Sequence, residues 1–245
     1  MLSKRQLKEL RQFRQSKCCK EEGLFVVEGE KMAEEALLSG WPIRTVCATE
    51  GWMTAHSTPV AGADWWTVSD GELEQLSLMR TPNAVWILVE RRTADISRLQ
   101  SVGVTLVLDH IQDPGNMGTL IRTADWFGIR RLVCSHDTVD CYNPKVVQAT
   151  MGGIFRTQTT YTDVAEWTAK CNMPVYGAVL GGTLIDRNTV WQKPCALVIG
   201  NESQGISTAV AQHLTQRLMI PNIGGSAESL NAASAAAILM AMMTN

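Results

Sequence analysis

Residues 113 to 128, DPGNMGTLIRTADWFG, decide how the second half of the chain folds. Apolar side chains recur there at intervals of three and four residues, which predicts a helix with one buried face. Asn116 is the predicted N-cap, because its side-chain oxygen can accept a free backbone N–H of the first turn. Arg122 lies off the apolar face. Either it forms a surface ion pair with Asp125, three residues later, or it serves a function.

Three strand-like segments downstream of this helix end in turns that contain glycine. They are VLGGTLID (179–186), VIGNESQGIS (198–207) and MIPNIGGSAESLN (219–231). Ligands bind at the carboxyl ends of the strands in an open parallel sheet, and glycine lets the backbone approach a flat ligand closely. Each turn taken alone could equally be an ordinary tight turn. None matches a phosphate loop or a dinucleotide fingerprint, which disfavours a nucleotide-dependent oxidoreductase.

Apolar runs of strand length alternate with helical segments from Val104 onward. VTLVLD, RLVCS, PVYGAVL, CALVIGNE and RLMIP are these runs. The pattern is typical of a parallel sheet covered on both faces. Residues 1–92 contain shorter α/β pieces, and residues 93–103 are polar. The sequence therefore predicts an α/β protein with a smaller N-terminal domain (1–92), a linker (93–103) and a C-terminal parallel-sheet domain (104–245).

Composition limits the class of protein. The chain is 45% hydrophobic and 19% charged, as in ordinary globular proteins, and it contains neither an apolar run of about 18 residues nor a secretory signal. We therefore expect a cytoplasmic protein with no membrane segment. Its seven cysteines form an odd set without C-x-x-C or zinc-ligand spacing, which predicts reduced thiols, no disulfide framework and no metal site. The histidines and the Trp65–Trp66 pair are expected to be packing or surface groups.

The N-terminal segment is strongly basic. Residues 1–20 carry a local charge of +6 in a chain whose net charge is −2. Such a helix can be a solvated face, or it can be an arm that binds phosphates, since clustered lysines and arginines are the electrostatic signature of nucleic-acid binding.

Three motifs in order resemble those of the SpoU/TrmH family of RNA methyltransferases, within the SPOUT superfamily. They are N-x-G-x-x-x-R, G-N-E-x-x-G-I-S and I-P-x-x-G-x-x-x-E-S-L-N, and the resemblance covers residues 104–245. The segment EEGLFVVEGEKMAEEAL (21–37) is similar to the RNA substrate-binding domain of many members, which is related to ribosomal proteins that bind RNA kinks. The departures are small: Ser203 replaces a common glycine, and SLNAAS replaces the commoner S-L-N-V-S.

The resemblance implies a fold that periodicity could not propose. Family members tie the C-terminal segment into a deep trefoil knot and build the S-adenosylmethionine site from it. The resemblance also implies a homodimer. The final helix, LNAASAAAILMAMM (230–243), is apolar nearly all round, so it requires burial either in a dimer interface or inside the domain.

The implied activity is S-adenosylmethionine-dependent methylation of a ribose 2′-hydroxyl in tRNA or rRNA. Arg122 is expected to act as an electrostatic stabiliser and not as a base, because a guanidinium stays protonated. The expected catalytic residues are Arg122, Asn116, Glu202, Ser229 and Asn231. The expected cofactor-binding residues are Leu180, Gly181, Gly200, Ile220 and Leu230. The expected RNA-binding residues are Lys4, Arg5, Lys8 and Arg11.

Two other functions are compatible with the same fold. One is a non-catalytic RNA-binding assembly factor, although a lost arginine or a broken Asn-Glu pair would be its signature and neither is seen. The other is a base-methylating relative, which the pairing of N-x-G-x-x-x-R with E-S-L-N disfavours. The sequence leaves open which nucleotide is the target, and whether the RNA is presented within one chain or across the dimer.

Overall fold

The computed structural model describes residues 2–56, 62–92 and 103–244. The chain divides into two compact units, Met1–Arg92 with Tyr142–Phe155, and Thr93–Cys141 with Arg156–Asn245. The division differs from the predicted one at Tyr142–Phe155, which joins the first unit. The predicted linker lies outside the described residues apart from Gly103.

Ten helices and ten strands are found in the described residues. The helices are α1 (Lys4–Arg11), α2 (Ser16–Glu21), α3 (Glu30–Leu38), α4 (Glu50–Ala55), α5 (Asp70–Leu76), α6 (Pro114–Trp126), α7 (Pro144–Thr150), α8 (Val164–Ala169), α9 (Thr208–Ala211) and α10 (Ala232–Thr244). The strands are β1 (Leu24–Glu28), β2 (Ile43–Ala48), β3 (Asp64–Thr67), β4 (Val85–Glu90), β5 (Val104–Leu108), β6 (Arg131–Cys134), β7 (Gln158–Tyr161), β8 (Val175–Leu184), β9 (Cys195–Ile199) and β10 (Gln216–Met219). Among the described residues, no helix combines the length and apolar character that a membrane span requires.

The first unit is built on a four-stranded sheet in the order β1-β4-β2-β3. Strand β4 is antiparallel to both of its neighbours, and β2 is parallel to β3, so β1, β2 and β3 point the same way. All five residues of β1 are buried. Phe25 and Val27 belong to the core on one face of the sheet, and Leu24 and Val26 to the core on the other. The sheet is therefore covered on both faces.

The segment Tyr142–Phe155 completes one of these two cores. The ring of Tyr142 lies 4.8 Å from that of Phe25, and the ring of Phe155 lies 5.4 Å from that of Trp41, measured between centroids. Helix α7 supplies further buried contacts to β1. Aromatic rings bury large apolar areas, so this segment contributes strongly to the stability of the first unit.

The second unit is a six-stranded sheet in the order β10-β8-β9-β5-β6-β7, with every neighbouring pair parallel. The predicted α/β class and parallel sheet are confirmed. Strand β7 was not predicted, because Gln158–Tyr161 is a polar, partly exposed edge strand without an apolar run. In a parallel sheet the carboxyl ends of all strands lie on the same side of the sheet. The loops after β5, β8, β9 and β10 therefore emerge on that side.

Helix α6 begins earlier than the sequence predicted. Its N-cap is Asp113, whose carboxylate accepts the backbone N–H of Asn116 at 2.7 Å, and Pro114 occupies the first helical position. Proline suits that position because its fixed φ is helical and its missing N–H would have had no partner. The prediction of Asn116 as N-cap is therefore wrong. The predicted buried face is correct; its members are Met117, Leu120, Ile121 and Ala124.

Helix α10 packs against α6 and is buried on one side only. Its buried residues are Ala232, Ala233, Ala236, Leu239, Met240 and Met243. Ile238 remains 39% exposed. The helix is therefore not enclosed within this chain, although its opposite face is also apolar.

Candidate active site

The loop after β9 is a closed turn. The Asn201 side-chain oxygen accepts the backbone N–H groups of Ser203 at 2.9 Å and Gln204 at 3.1 Å. The amide group of the same side chain donates to the backbone carbonyl of His110 at 2.9 Å. These bonds tie the turn to the end of β5 and leave Glu202 exposed at its tip. Asn201 therefore fixes the position of Glu202.

Side chains from the first turn of α6, the loop after β9 and the segment before α10 meet in one hydrogen-bonded cluster. The amide of Asn116 donates to the carboxylate of Glu202. The amide of Asn231 donates to the side-chain oxygen of Asn116 at 2.9 Å. The Asn231 oxygen accepts the N–H groups of Ala233 and Ser234, which anchors it to the start of α10. The structure thus brings together Asn116, Glu202 and Asn231, one from each sequence motif.

Arg122 is exposed and stands apart from this cluster. It follows Asn116 by six residues, which places it about 240° further round the helix. Within the described part of the chain it makes no hydrogen bond or ion pair. The alternative pairing with Asp125 is wrong, since Asp125 binds Arg156 at 2.9 Å. The guanidinium of Arg122 is therefore available to an anionic group outside the chain.

Ser229 lies in the exposed segment 221–231, which precedes α10. In the described residues it forms no hydrogen bond with the other four expected catalytic side chains. The structure therefore places Ser229 two residues before Asn231 of the cluster, without a hydrogen bond between them.

Strand β8 changes its register against β10 where the sequence predicted its end. Gly177 is paired with Arg217 of β10. The next pair is Thr183 with Leu218, so residues 178–182 leave the ladder before β8 resumes. The prediction that the strand closes at Gly181–Gly182 is wrong in that the strand continues through Leu184. Residues 178–182 thus form a bulge within β8, beyond the last residue of β8 that pairs with β9.

Two glycines in these loops are held against backbone atoms. A Cβ at Gly182 would lie 2.8 Å from the backbone carbonyl of Arg217, and one at Gly200 would overlap the backbone of Gly205. Such close approaches to backbone atoms exclude any side chain. The turns of β8 and β9 thus depend on glycine.

The other expected cofactor-binding residues surround this glycine-lined edge. Leu180 is 72% exposed and Leu230 is 50% exposed, while Ile220 is half-buried. Gly181 has a φ of +80° and directs its backbone N–H to the sulfur of Met219 at 3.3 Å. Exposed leucines beside a glycine backbone are suited to a flat aromatic ring with polar edges, as in the adenosine of S-adenosylmethionine.

Asp109 was missed by the sequence prediction. It is 1% exposed and directly follows β5, and its carboxylate accepts the N–H of Ser207 at 2.7 Å. It also binds Nδ1 of His110 at 2.8 Å, while Nε2 of His110 lies 2.7 Å from Asp137. His110, with a φ of +61°, is therefore a bridging group and not a packing or surface residue as expected. An acidic residue directly after an apolar strand was the available signal.

The comparisons with known proteins agree with this geometry. The model of the SpoU rRNA Methylase family matches residues 103–241, and that of the MRM3-like substrate binding domain matches residues 4–86. The chain belongs to the SpoU methylase family.

Full-length relatives support the same assignment for this SpoU protein. The 23S rRNA (guanosine(2553)-2′-O)-methyltransferase RlmP of Bacillus subtilis is 28% identical over 219 residues, covering 88% of this chain and 86% of the relative. A TrmH-family structure from Porphyromonas gingivalis is 37% identical, with a TM-score of 0.89 and coverage of 99% and 98%. An AdoMet-bound rRNA methyltransferase from Sinorhizobium meliloti is 28% identical, with a TM-score of 0.87 and coverage of 99% and 95%.

This SpoU protein is an S-adenosylmethionine-dependent RNA methyltransferase that modifies a ribose 2′-hydroxyl. The expected activity and cofactor are thereby confirmed. The bound cofactor supplies a methyl group activated by its positive sulfur. The protein must then orient the ribose and stabilise negative charge on its oxygen.

Proposed function

We propose that this protein methylates ribosomal RNA, and that the cluster of Asn116, Glu202 and Asn231 marks its catalytic centre. The cluster is the observation that carries the proposal, because it joins one residue from each of the three motifs at the carboxyl ends of the strands. The name of the Bacillus subtilis relative, a 23S rRNA methyltransferase, favours ribosomal RNA over tRNA. A ribosomal substrate and seven cysteines that form no disulfide in the described residues are compatible with the cytoplasm.

Arg122 is the proposed electrostatic stabiliser in this reaction. Its exposed, unpaired guanidinium can approach the 2′-oxygen or the adjacent phosphate as negative charge develops. Because the guanidinium remains protonated, it acts through its positive charge and its N–H donors. The proton of the ribose 2′-hydroxyl is therefore accepted by a group other than Arg122.

Glu202 and the two asparagines are proposed to hold the ribose in register. Glu202 accepts a hydrogen bond from Asn116 and keeps further lone pairs for a ribose hydroxyl. Asn231 orients Asn116 and is itself fixed to α10. Ser229 would add a hydroxyl contact from the last loop. Together these groups would define the angle at which the oxygen attacks.

The cofactor would be held largely by backbone groups of the three loops. The proposed residues are Leu180, Gly181, Gly200, Ile220 and Leu230. The close backbone contacts of Gly182 and Gly200 support this role, since they shape a cradle that side chains would fill.

We propose that the SpoU protein is a homodimer whose interface includes α6 and α10. Trp126 on α6 is 85% exposed, and Ile238 on α10 is 39% exposed, although the two helices pack together. A second copy would cover both side chains. Arg122 precedes Trp126 by one helical turn, so dimer formation would also bring its guanidinium near the interface.

The proposed deep trefoil knot rests on family membership and is compatible with the strand order. Strand β10 pairs with β8, and β8 lies between β10 and β9, so the chain must cross β8 after leaving β9. A deep knot would route the segment 221–231 through the loop that precedes it and so hold Ser229 and Asn231 at the site.

The basic helix α1 is proposed to bind RNA phosphates. Lys4, Arg5, Lys8 and Arg11 are all exposed. Arg5 is partly neutralised by Glu9 at 2.8 Å. A cleft of about 450 Å³ adjoins this helix; it is lined by Lys8, Arg11, Gln12, Arg14 and Gln15. Basic groups around an open cleft favour a polyanionic ligand.

Mapping 2′-O-methyl sites in total RNA from cells with and without the gene tests the substrate. We expect one ribosomal position to lose its methyl group, and purified protein to restore it on extracted ribosomal RNA. A lost site in tRNA, with ribosomal RNA unchanged, would contradict the proposed substrate and leave the methyltransferase activity in place.

A further inference from the structure

A second cleft in the first unit lies away from the basic helix, at the carboxyl end of β1. Its volume is about 340 Å³. It is lined by Glu28, Gly29, Glu30, Lys31, Met32, Met79, Asn83, Gln148 and Met151, and we call it the methionine cleft. All nine residues belong to the first unit. The volume lies within the range of small-ligand sites.

The walls of the methionine cleft are held in place by hydrogen bonds. Glu28 is 7% exposed, and its carboxylate accepts the Ser77 hydroxyl and the Leu78 N–H, the latter at 3.0 Å. The N–H of Met79 donates to the Ser77 hydroxyl oxygen at 3.0 Å. The end of β1 is thus tied to the segment that carries Met79. Because the Glu28 carboxylate already has two donors, the cleft is not simply a cation site.

The rim of the cleft contains strained backbone. Three non-glycine residues in the described chain have a positive φ; they are Ala84 (51°), His110 (61°) and Met151 (49°). His110 adjoins the active-site loops, whereas Met151 lines the cleft and Ala84 follows Asn83 at its rim. A Cβ at Gly152 would lie 2.6 Å from Glu35, so the turn that carries Met151 is pressed against α3. Strain of this kind persists where the surroundings enforce it, often at binding sites.

The apolar part of the cleft suits a flat aromatic group. Met32, Met79 and Met151 contribute thioethers, of which Met32 is buried and the other two are half-buried. Thioether sulfur is polarizable and makes favourable contacts with aromatic rings, and methionine adapts its shape to its partner. A nucleobase is a flat aromatic group of this kind.

The polar part of the cleft supplies both donors and acceptors. Asn83 and Gln148 each carry an amide with two donors and one acceptor oxygen, which is the combination that reads base edges. Lys31 is exposed at the rim and could contact a phosphate, while exposed Glu30 could accept N–H groups of a base. A nucleotide matches this set better than an apolar peptide does, since it needs amides, a cation and an aromatic platform together.

We propose that the methionine cleft binds one unstacked nucleotide of the RNA substrate, with the base between the thioethers and its edge on the amides of Asn83 and Gln148. The inference rests on the proposed role of the first unit in RNA binding. Bases that leave the helical stack are the usual targets of sequence-specific RNA recognition. The cleft would therefore contribute to the choice of target, separately from the phosphate contacts of α1.

Steady-state methylation of extracted, undermethylated ribosomal RNA by the full-length protein tests this inference. The cleft variants are Met79→Ala and the double variant Asn83→Ala/Gln148→Ala. Each should raise the KM for RNA by about 5- to 100-fold and leave kcat at saturating RNA unchanged, because stacking and base-edge contacts each contribute on this scale. The matched control, Gln75→Ala/Asn172→Ala, removes two exposed amides outside the cleft and should leave KM unchanged.

A second measurement keeps the inference falsifiable if a cleft variant folds poorly. Wild-type protein labelled at its methionine methyl groups with carbon-13, and saturated with S-adenosylhomocysteine, is titrated with the extracted RNA. We expect the methyl signals of Met79 and Met151 to shift. An unchanged KM in both cleft variants, or static signals from both methionines while RNA binds, would overturn the inference. If wild-type protein methylates no ribosomal RNA, the proposed substrate fails instead.

Discussion

The two units of this protein obtain their functional surfaces in different ways. In the second unit, Asn116, Glu202 and Asn231 are far apart in sequence, but each follows a strand of one parallel sheet, and the carboxyl ends of these strands lie on the same side. In the first unit, a core that supports the methionine cleft is completed by Tyr142–Phe155, which lies far along the chain. Both surfaces thus combine segments that are far apart in sequence, but only in the second unit does the strand pattern of the sequence indicate which segments meet.

The position of Tyr142–Phe155 in the chain does not indicate the unit to which the segment belongs. It occurs between β6 and β7, where a parallel sheet needs a crossover connection. Its apolar side chains, however, pack with Phe25 and Trp41 of the first unit. The crossover thus serves a core other than that of the sheet it connects.

Phe155→Ala tests whether the segment Tyr142–Phe155 stabilises the first unit and not the second, and it is the substitution with the largest expected effect. The side chain is 8% exposed, and removal of a buried phenyl ring costs about 3–5 kcal/mol of stability. Hydrogen exchange should show faster exchange in β1 and β4, with β5 and β9 unchanged. Phe127→Ala, which truncates a half-buried ring of the second unit, is the control. Faster exchange in β5 and β9 alone would assign the segment to the second unit.

Arg122→Ala tests the proposed catalytic site of the second unit. A donor aimed at developing charge typically contributes about 10²- to 10³-fold to the rate, and we expect a loss of that size in kcat. Cofactor affinity and melting temperature should hardly change, because the side chain is exposed. Arg130→Ala removes another exposed arginine nearby and serves as the control. A variant with near-wild-type turnover would return Arg122 to a surface role.

Much of the second unit was predictable because its information is local. The five apolar runs were confirmed as strands, and the motif residues do follow them. The continuation of β8 through residues 178–184 was not predicted, because it depends on pairing of Thr183 with Leu218 on β10 after a shift in register. The pairing register of β8 depends on its partner strand β10, and the sequence of β8 alone does not determine that register.

The first unit was predictable element by element but not as a core. Its four strands and the helices α3 and α5 agree with the short α/β pieces that the sequence predicted for residues 1–92. No local pattern, however, assigns Tyr142 or Phe155 to contacts with Phe25 and Trp41. Tertiary packing decides whether the apolar side chains of Tyr142–Phe155 join the core of the first unit or that of the second, and such packing can override local sequence preference.

Replacing Lys4, Arg5, Lys8 and Arg11 with glutamine tests whether the first unit binds RNA phosphates. The log–log slope of affinity against salt should flatten by about 0.7 to 0.9 for each phosphate that the variant no longer neutralises. Arg5 should contribute least, since Glu9 already neutralises it at 2.8 Å. Arg44→Gln, an exposed arginine on β2, is the control. If affinity and slope are both unchanged, α1 is a solvated face and RNA contacts the protein elsewhere.

The smallest expected effect comes from two substitutions at the start of α6. They distinguish the capping role of Asp113 from the proposed catalytic role of Asn116. Asp113→Ala removes the carboxylate that accepts the Asn116 N–H at 2.7 Å and should lower stability by about 1 kcal/mol. Asn116→Ala keeps that backbone N–H and should leave stability nearly unchanged, but it removes the amide that binds Glu202 and should lower kcat. Thermal unfolding and methylation assays of both variants distinguish the two roles. The reverse pattern, with Asn116→Ala as the destabilising change, would restore Asn116 as the cap and remove the reason to place it in the catalytic cluster.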